Sequence, residues 1–486
     1  MKVKSILALV LACILLLLCA CTPTATSPVG GDNGGDNGGE NGGGNEGGDG
    51  GSEGGTGETP DLNLSVTPST PYASVGSVVK FTVSGNCDLS KVSFKLADES
   101  MAVGVSGKNG VYTMRLAKEG ELVATVECEG TTASGTMFVF PEFSECDHSN
   151  ELITYLGRTA EEGNARVFRN TASGFEVTFY GKKLVAEMTS SGREAAMMAV
   201  LLDGETDPEA VKLDLTRDGT NGKFVLAEFD KAGVHTVRVQ KVTEESISVA
   251  SLRSLTVEDG GLLPTGEKKG LHVVAYGDSI TCGYGNMRPD VNVDGLYSTT
   301  QNGLMTYSAL AAAKLGAEYE AFARSGIGLY TNAHNMPYNM LDVYDYVSPM
   351  GDGSQKWDMA ANAPDIVIIN LGTNDLGATA NKADSIPAGM PIYSHDGIRA
   401  AYVEFVEKLN AAYGEGVIYF LVGGMMTNST NTAMQEAAAL LQQQGINANA
   451  VILPGRSGYS SGHPMLYDHE ASADVLYNAI VETYFG

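Results

Sequence analysis

Three short motifs, far apart in the chain, carry residue types that together could perform acyl transfer. Gly277-Asp278-Ser279-Ile280-Thr281 offers a serine hydroxyl, Gly372-Thr373-Asn374-Asp375 an amide, and Gly462-His463-Pro464 an imidazole. A serine attacks a carbonyl carbon when an imidazole takes its proton and later returns it to the leaving alcohol. An amide N–H helps hold the negative oxygen of the tetrahedral intermediate. Each residue alone has an ordinary structural reading: Asp278 or Ser279 could cap a helix, Asn374 could cap the next, and His463 could be a loop histidine. Their order and placement on separate strand ends favour the catalytic reading. His469 competes for the role of His463, but sits on the expected final helix, at the surface or behind the site. Cys282 lies close to Ser279 without a motif of its own. Asp278 and Asp375 are expected to tie loops together rather than act as acids. Gly283-Tyr284-Gly285 belongs to the turn after Ser279. No carboxylate pair for glycosidic cleavage stands out, and there is no metal-ligand spacing of His or Cys and no nucleotide-binding glycine motif, so no metal or cofactor is expected.

These residues need a scaffold that brings distant loops to one rim. From 265 to 486, short apolar runs alternate with helical stretches. The runs are Val273–Tyr276, Tyr319–Phe322, Ile366–Leu371, Val417–Val422 and Ala450–Leu453, and the helical stretches are 304–315, 397–412, 431–444 and 469–485. Such alternation predicts βαβ units and a parallel sheet, whose ligands sit at the carboxyl ends of the strands. All three motifs follow such runs.

The order Gly-Asp-Ser, Gly-x-Asn-Asp and His-Pro resembles the GDSL/SGNH hydrolases. The string from Tyr276 to Asn286 is similar to the family two carbohydrate esterases. So are Trp357 ahead of Pro364-Asp365-Ile366-Val367, the stretch Asn370–Asp375, and a β-sandwich directly before the hydrolase domain. The likeness covers about residues 150–486. It implies a three-layer α/β SGNH hydrolase fold and a serine esterase that removes acetyl groups from polysaccharide such as xylan or a related hemicellulose. It also implies Ser279 as nucleophile, His463 as base, and the Ser279 N–H and the Asn374 side chain as oxyanion donors. A third donor would be a backbone N–H of Gly326 or Gly328, with Gly326 placed slightly ahead. Trp357 becomes a candidate substrate contact. One departure stands out: these hydrolases usually carry Asp three residues before the catalytic His, where this chain has Ser460. The resemblance then implies a Ser–His dyad with a backbone carbonyl holding the imidazole. Two other readings stay open, a non-catalytic glycan-binding surface lipoprotein and an esterase acting on bacterial cell-wall glycan or lipid.

The rest of the chain frames this part. At ~100–200 residues per domain, 486 residues suggest two to four domains. A net charge of −27 argues against a nucleic-acid partner, which needs basic patches. Lys2 and Lys4 precede an apolar stretch, Ser5 to Leu18, too short for a comfortable membrane span. Leu18-Cys19-Ala20-Cys21 then resembles a bacterial lipobox, which implies a signal peptide over 1–21, lipidation of Cys21 and an extracytoplasmic, lipid-anchored location; an ordinary cleaved signal is the alternative. Residues 22–60, rich in Gly, Asn and acidic residues, read as a disordered spacer. Residues 61–141 read as an immunoglobulin-like β-sandwich, from strand patterns at Val79–Val83, Val92–Leu96 and Leu122–Val126. Residues 145–262 read as a jelly-roll-like sandwich, with strands at Phe175–Tyr180, Ala199–Asp203 and His235–Val239. His235 is expected to be an ordinary strand residue. Cys87 and Cys128 either pair or remain buried thiols.

Overall fold

The computed structural model describes residues 62–266, 270–290, 297–332, 335–351, 355–456 and 462–486. The expectations for residues 1–21, Cys21, the 22–60 spacer and Ser460 lie outside the described residues. The chain divides into two compact units. One runs to Pro71 and includes Val78–Arg115 and Leu122–Met137; the other comprises Tyr72–Ser77, Leu116–Glu121 and Phe138–Gly486.

In the first unit the strand Val78–Gly85 pairs antiparallel with Leu64–Pro68 and Val111–Leu116, and Ser93–Leu96 pairs antiparallel with Gly120–Cys128. Alternate residues of Val78–Gly85 are buried, the period-two signature of a half-buried strand. Phe81 and Phe94 meet at 6.0 Å and join the two layers. Cys87 and Cys128 are free thiols, and the Cys128 thiol is pushed up to about 11, first by its hydrogen bond with Cys87 and then by burial.

The second unit opens with a ten-stranded sheet built around three long strands, Gly174–Gly192, Lys223–Lys241 and Ser248–Glu258, paired antiparallel. Its core is aliphatic and aromatic, with Phe168, Phe175, Phe179 and Val239 fully enclosed. His235 is a strand residue there, bonded to Asp203 at 2.7 Å and stacked on Phe229.

A five-stranded parallel sheet follows, in the spatial order Glu318–Ala323, His272–Gly277, Ile366–Asn370, Ile418–Met425, Ala448–Gly455. All five apolar runs of the sequence are its strands. Every residue of Ile366–Asn370 is buried, as expected of a strand covered on both faces. Helices His395–Tyr413 and Asn431–Gln443 cover one face and Tyr307–Lys314 and Leu466–Phe485 the other. The helix Asn431–Gln443 buries Ala433, Met434, Ala437, Ala438 and Leu441, one stripe at helical spacing.

Arg158, from the antiparallel region, is inserted into the parallel-sheet domain and is fully buried. Its Nε donates to Glu320 at 2.9 Å, Nη1 to the carbonyls of Tyr344 and Tyr346 at 2.6 and 2.7 Å, and Nη2 to the Tyr276 hydroxyl at 2.5 Å. Nη2 also donates to the Tyr413 hydroxyl at 3.4 Å, so all five of its donors are used, which is what a buried guanidinium requires.

Candidate active site

The strand order puts the topological switch point between His272–Gly277 and Ile366–Asn370. Chain crossovers leave in opposite directions there, so a crevice opens beyond the carboxyl ends of these two strands. Ser279 follows the first and Asn374 the second.

Local geometry sets Ser279. A Cβ on Gly277 would lie 2.0 Å from the Thr281 hydroxyl, so only glycine fits the sharp exit from the strand. Asp278 caps the four-residue helix Ser279–Cys282, its Oδ1 accepting from Ile280 N–H at 3.0 Å, and Gly283 closes the turn at φ +78°. Ser279 occupies the first helical position, where a backbone N–H has no acceptor within the helix.

His463 reaches Ser279 from beyond the fifth strand, with Nε2 2.7 Å from Oγ. Its ring stacks on Tyr284 at 4.2 Å. Two arginines grip its backbone: Arg288 Nη2 donates to the His463 carbonyl at 2.8 Å, and Arg456 Nη1 donates to that of Gly462. Burial first, then the charges of Arg288 and Arg456, push the imidazole down to about 4. It is therefore neutral at pH 7, so in the Nδ1–H tautomer Nε2 can accept the serine proton.

The Asn374 amide donates to Asp278 Oδ2 at 3.1 Å and to the Ile327 carbonyl at 2.9 Å. Both amide hydrogens are engaged, so an oxyanion must share or displace one of them. Asp278 is wholly buried, and burial, with Asp375 and Glu244 adding, pushes its carboxyl up to about 7. Asp375, also buried and raised to about 6, accepts from Leu329, Tyr330 and Thr331 N–H at 2.8, 3.0 and 3.0 Å. Asp278 thus joins the first and third strand-end loops, and Asp375 joins the third to the second.

These bonds separate the two glycines. Gly328 belongs to the turn held by Asp375; a Cβ on it would lie 1.7 Å from the Thr331 carbonyl oxygen and 2.9 Å from Asp375 Oδ2. Gly326, half-buried at φ +87°, directly precedes the residue whose carbonyl meets Asn374.

Of the two places expected for His469, the surface is excluded: it is buried, because the helix Leu466–Phe485 packs on Tyr307–Lys314; its Nδ1 accepts from Tyr307 N–H at 3.1 Å, and burial pushes its ring down to about 3. Trp357 is half-buried against the hydrophobic core, its backbone N–H donating to the Asp345 carbonyl at 2.8 Å. Cys282 is buried, and burial, with Glu244 and Asp278 adding, raises its thiol well above the usual range, which leaves it a poor nucleophile.

Sequence reasoning missed Tyr284, Arg288, Arg456 and Glu244. The first two lie in the turn after Ser279, and Arg456 lies just ahead of the His463 segment, so proximity was a usable signal. Glu244 had none, since it belongs to the preceding antiparallel region.

Residues 155–265 match the family described as Carbohydrate esterase 2 N-terminal, and residues 275–475 match the GDSL-like Lipase/Acylhydrolase family. The chain thus matches a model of each of these two domains, one directly after the other. An acetylxylan esterase/glucomannan deacetylase of Cellvibrio japonicus is 26% identical over 339 residues, 68% of this chain and 88% of that protein. The cellulase/esterase CelE of Acetivibrio thermocellus is 26% identical over 342 residues, 68% of this chain but only 39% of CelE, so this chain spans well under half of that relative. Among solved structures, an acetyl xylan esterase of the rumen bacterium Butyrivibrio proteoclasticus aligns with a TM-score of 0.60 at 21% identity, covering 70% of this chain and 98% of that one. A family two carbohydrate esterase from Cellvibrio japonicus aligns with a TM-score of 0.59 at 21% identity, with the same coverage. These two likenesses carry the fold.

Proposed function

We propose that this protein is a serine esterase that removes O-acetyl groups from polysaccharide, xylan or a related hemicellulose, by a Ser279–His463 double displacement. The observation that carries the proposal is the 2.7 Å hydrogen bond between His463 Nε2 and Ser279 Oγ at the switch-point crevice. His463 takes the Ser279 proton as Oγ attacks the acetyl carbonyl carbon, then delivers it to the departing sugar oxygen. Water hydrolyses the acetyl-enzyme by the same route in reverse roles, releasing acetate. The Ser279 and Gly326 N–H groups and the Asn374 amide hold the oxyanion. The stacked Tyr284 face, rather than a carboxylate, meets the imidazolium that forms in each half-reaction.

The names of the relatives support the substrate class, and the matched ranges 155–265 and 275–475 support a jelly-roll-like domain at 145–262 and an SGNH hydrolase domain at 265–486, the first match running three residues past 262. Residues 61–141 make a third, immunoglobulin-like domain. Lipidation at Cys21, with 22–60 as spacer, would hold all three outside the cytoplasm; the lipobox-like Leu18–Cys21 supports this placement.

The test is acetate release from acetylated xylan and glucomannan, with 4-nitrophenyl acetate as a sugar-free ester. Wild type is expected to release acetate and Ser279→Ala none. Equal release by both would overturn the mechanism. An inactive wild type that still binds polysaccharide would favour a glycan-binding role instead.

A further inference from the structure

The three strand-end loops of the site are tied to one another by Asn374, Asp278 and Asp375, but the first turn of the second loop is held from elsewhere. Glu244, in the antiparallel region just after the strand Lys223–Lys241, is 1% exposed. Its Oε2 accepts from Ser325 N–H at 2.9 Å, and its Oε1 accepts from Ser325 Oγ at 2.5 Å and Gln301 Nε2 at 3.2 Å. Its own N–H donates to Gln301 Oε1 at 2.9 Å, so backbone and side chain are pinned together. Ser325 directly precedes Gly326. On either side, Arg324 N–H donates to the Gly277 carbonyl at 3.3 Å and the Ile327 carbonyl accepts from Asn374. Both described donors of Ser325 therefore go to one carboxylate of the neighbouring domain. Glu245 extends the same grip, its Oε2 accepting from Ser348 Oγ at 2.7 Å.

We propose that Glu244 is a positioning residue for ester hydrolysis, its carboxylate fixing the Ser325 peptide and so the direction of the Gly326 N–H at the oxyanion site. The inference rests on the esterase reading given above. It assigns the antiparallel domain a part in the active site itself, beyond any binding of glycan. Two donors converge on a rigid buried acceptor, which removes the freedom of the Ser325–Gly326 peptide before substrate arrives. Pre-organised donors act this way, because they need no reorganisation as charge develops. Only a carboxylate suits the site. A glutamine would present an NH2 group to one of three donors, and one hydrogen bond would become a donor–donor clash.

The experiment compares wild type, Ser279→Ala, Glu244→Gln, Ser325→Ala and the Glu244→Gln/Ser325→Ala pair on 4-nitrophenyl acetate, with melting temperature measured for each. Displacement of a reacting group by ~1 Å costs on the order of 10²-fold. Glu244→Gln is expected to lower kcat at least tenfold while KM changes less than about threefold, a split that loss of folded protein would not produce. Ser325→Ala, which keeps the backbone bond, should lose less. The double variant should be no slower than Glu244→Gln, because the two groups act as a unit. Should Glu244→Gln fail to fold, Ser325→Ala carries the test through the same kcat-against-KM split. A folded Glu244→Gln, or failing that a Ser325→Ala, with kcat unchanged beside an inactive Ser279→Ala would overturn this inference alone. Equal rates in wild type and Ser279→Ala would overturn the esterase reading and this inference with it.

Discussion

The state of His463 makes the sharpest prediction. An ordinary histidine is half-protonated near pH 6.5, whereas burial, Arg288 and Arg456 together bring this one down to about 4. A protonated imidazole cannot accept the Ser279 proton, so the acid limb of kcat/KM should follow the free-enzyme imidazole. At pH 5 an unperturbed histidine would be only ~3% neutral, and one titrating near 4 would be roughly 90% neutral. If Ser279 and His463 act as proposed, activity should be mostly kept at pH 5 and fall about tenfold per pH unit below 4. Arg288 is the second of the three causes, behind burial, and can account for no more than about half of the fall from 6.5, or ~1.7 kcal/mol. Arg288→Met should accordingly move the acid limb upward by at most about one pH unit, whatever it does to the plateau through the lost bond to the His463 carbonyl. The assay is kcat/KM on 4-nitrophenyl acetate from pH 3.5 to 8. Enzyme held at each pH and returned to pH 7 separates titration from unfolding. A fall greater than about tenfold between pH 6.5 and 5 in wild type that remains folded would refute the reasoning.

Two further outcomes follow from the geometry. Arg158→Met would strand the Glu320 carboxylate, which is 3% exposed, along with two carbonyls; removing one partner of a buried pair costs ~3–5 kcal/mol, and urea unfolding showing a loss below about 1 kcal/mol would contradict it. Asn374→Ala should lower kcat by roughly 10²–10³-fold with little change in KM, measured on the same ester, and a variant retaining half its rate would remove Asn374 from the oxyanion site.

Much of the parallel-sheet domain was legible in the chain because parallel strands covered on both faces must be apolar throughout, and Ile366–Asn370 and its neighbours are. Two of the three motifs were legible because they directly follow such strands, and the third, with His463, because it is the next such signal after the fifth strand, which ends at Gly455. The path of Asp278 was less so. It could be read as a helix cap, and it is one, but its second oxygen also meets Asn374. The different settings of Gly326 and Gly328 were not legible, since two glycines so close together look alike until Asp375 is seen to hold the turn that contains Gly328.

Sequence by itself determined the five strands of the parallel sheet, the turn that carries Ser279, and the candidates Ser279, His463 and Asn374. These are properties of local pattern and of position relative to strand ends. Tertiary structure alone decided what surrounds them: His463 neutralised by burial and two arginines, His469 enclosed between helices, Arg158 locked into the neighbouring domain, and Glu244 placed on Ser325. The physical reason is that desolvation and hydrogen-bond partnership depend on which distant surfaces the folded chain brings within about 3 Å, and short sequence motifs do not encode that distance.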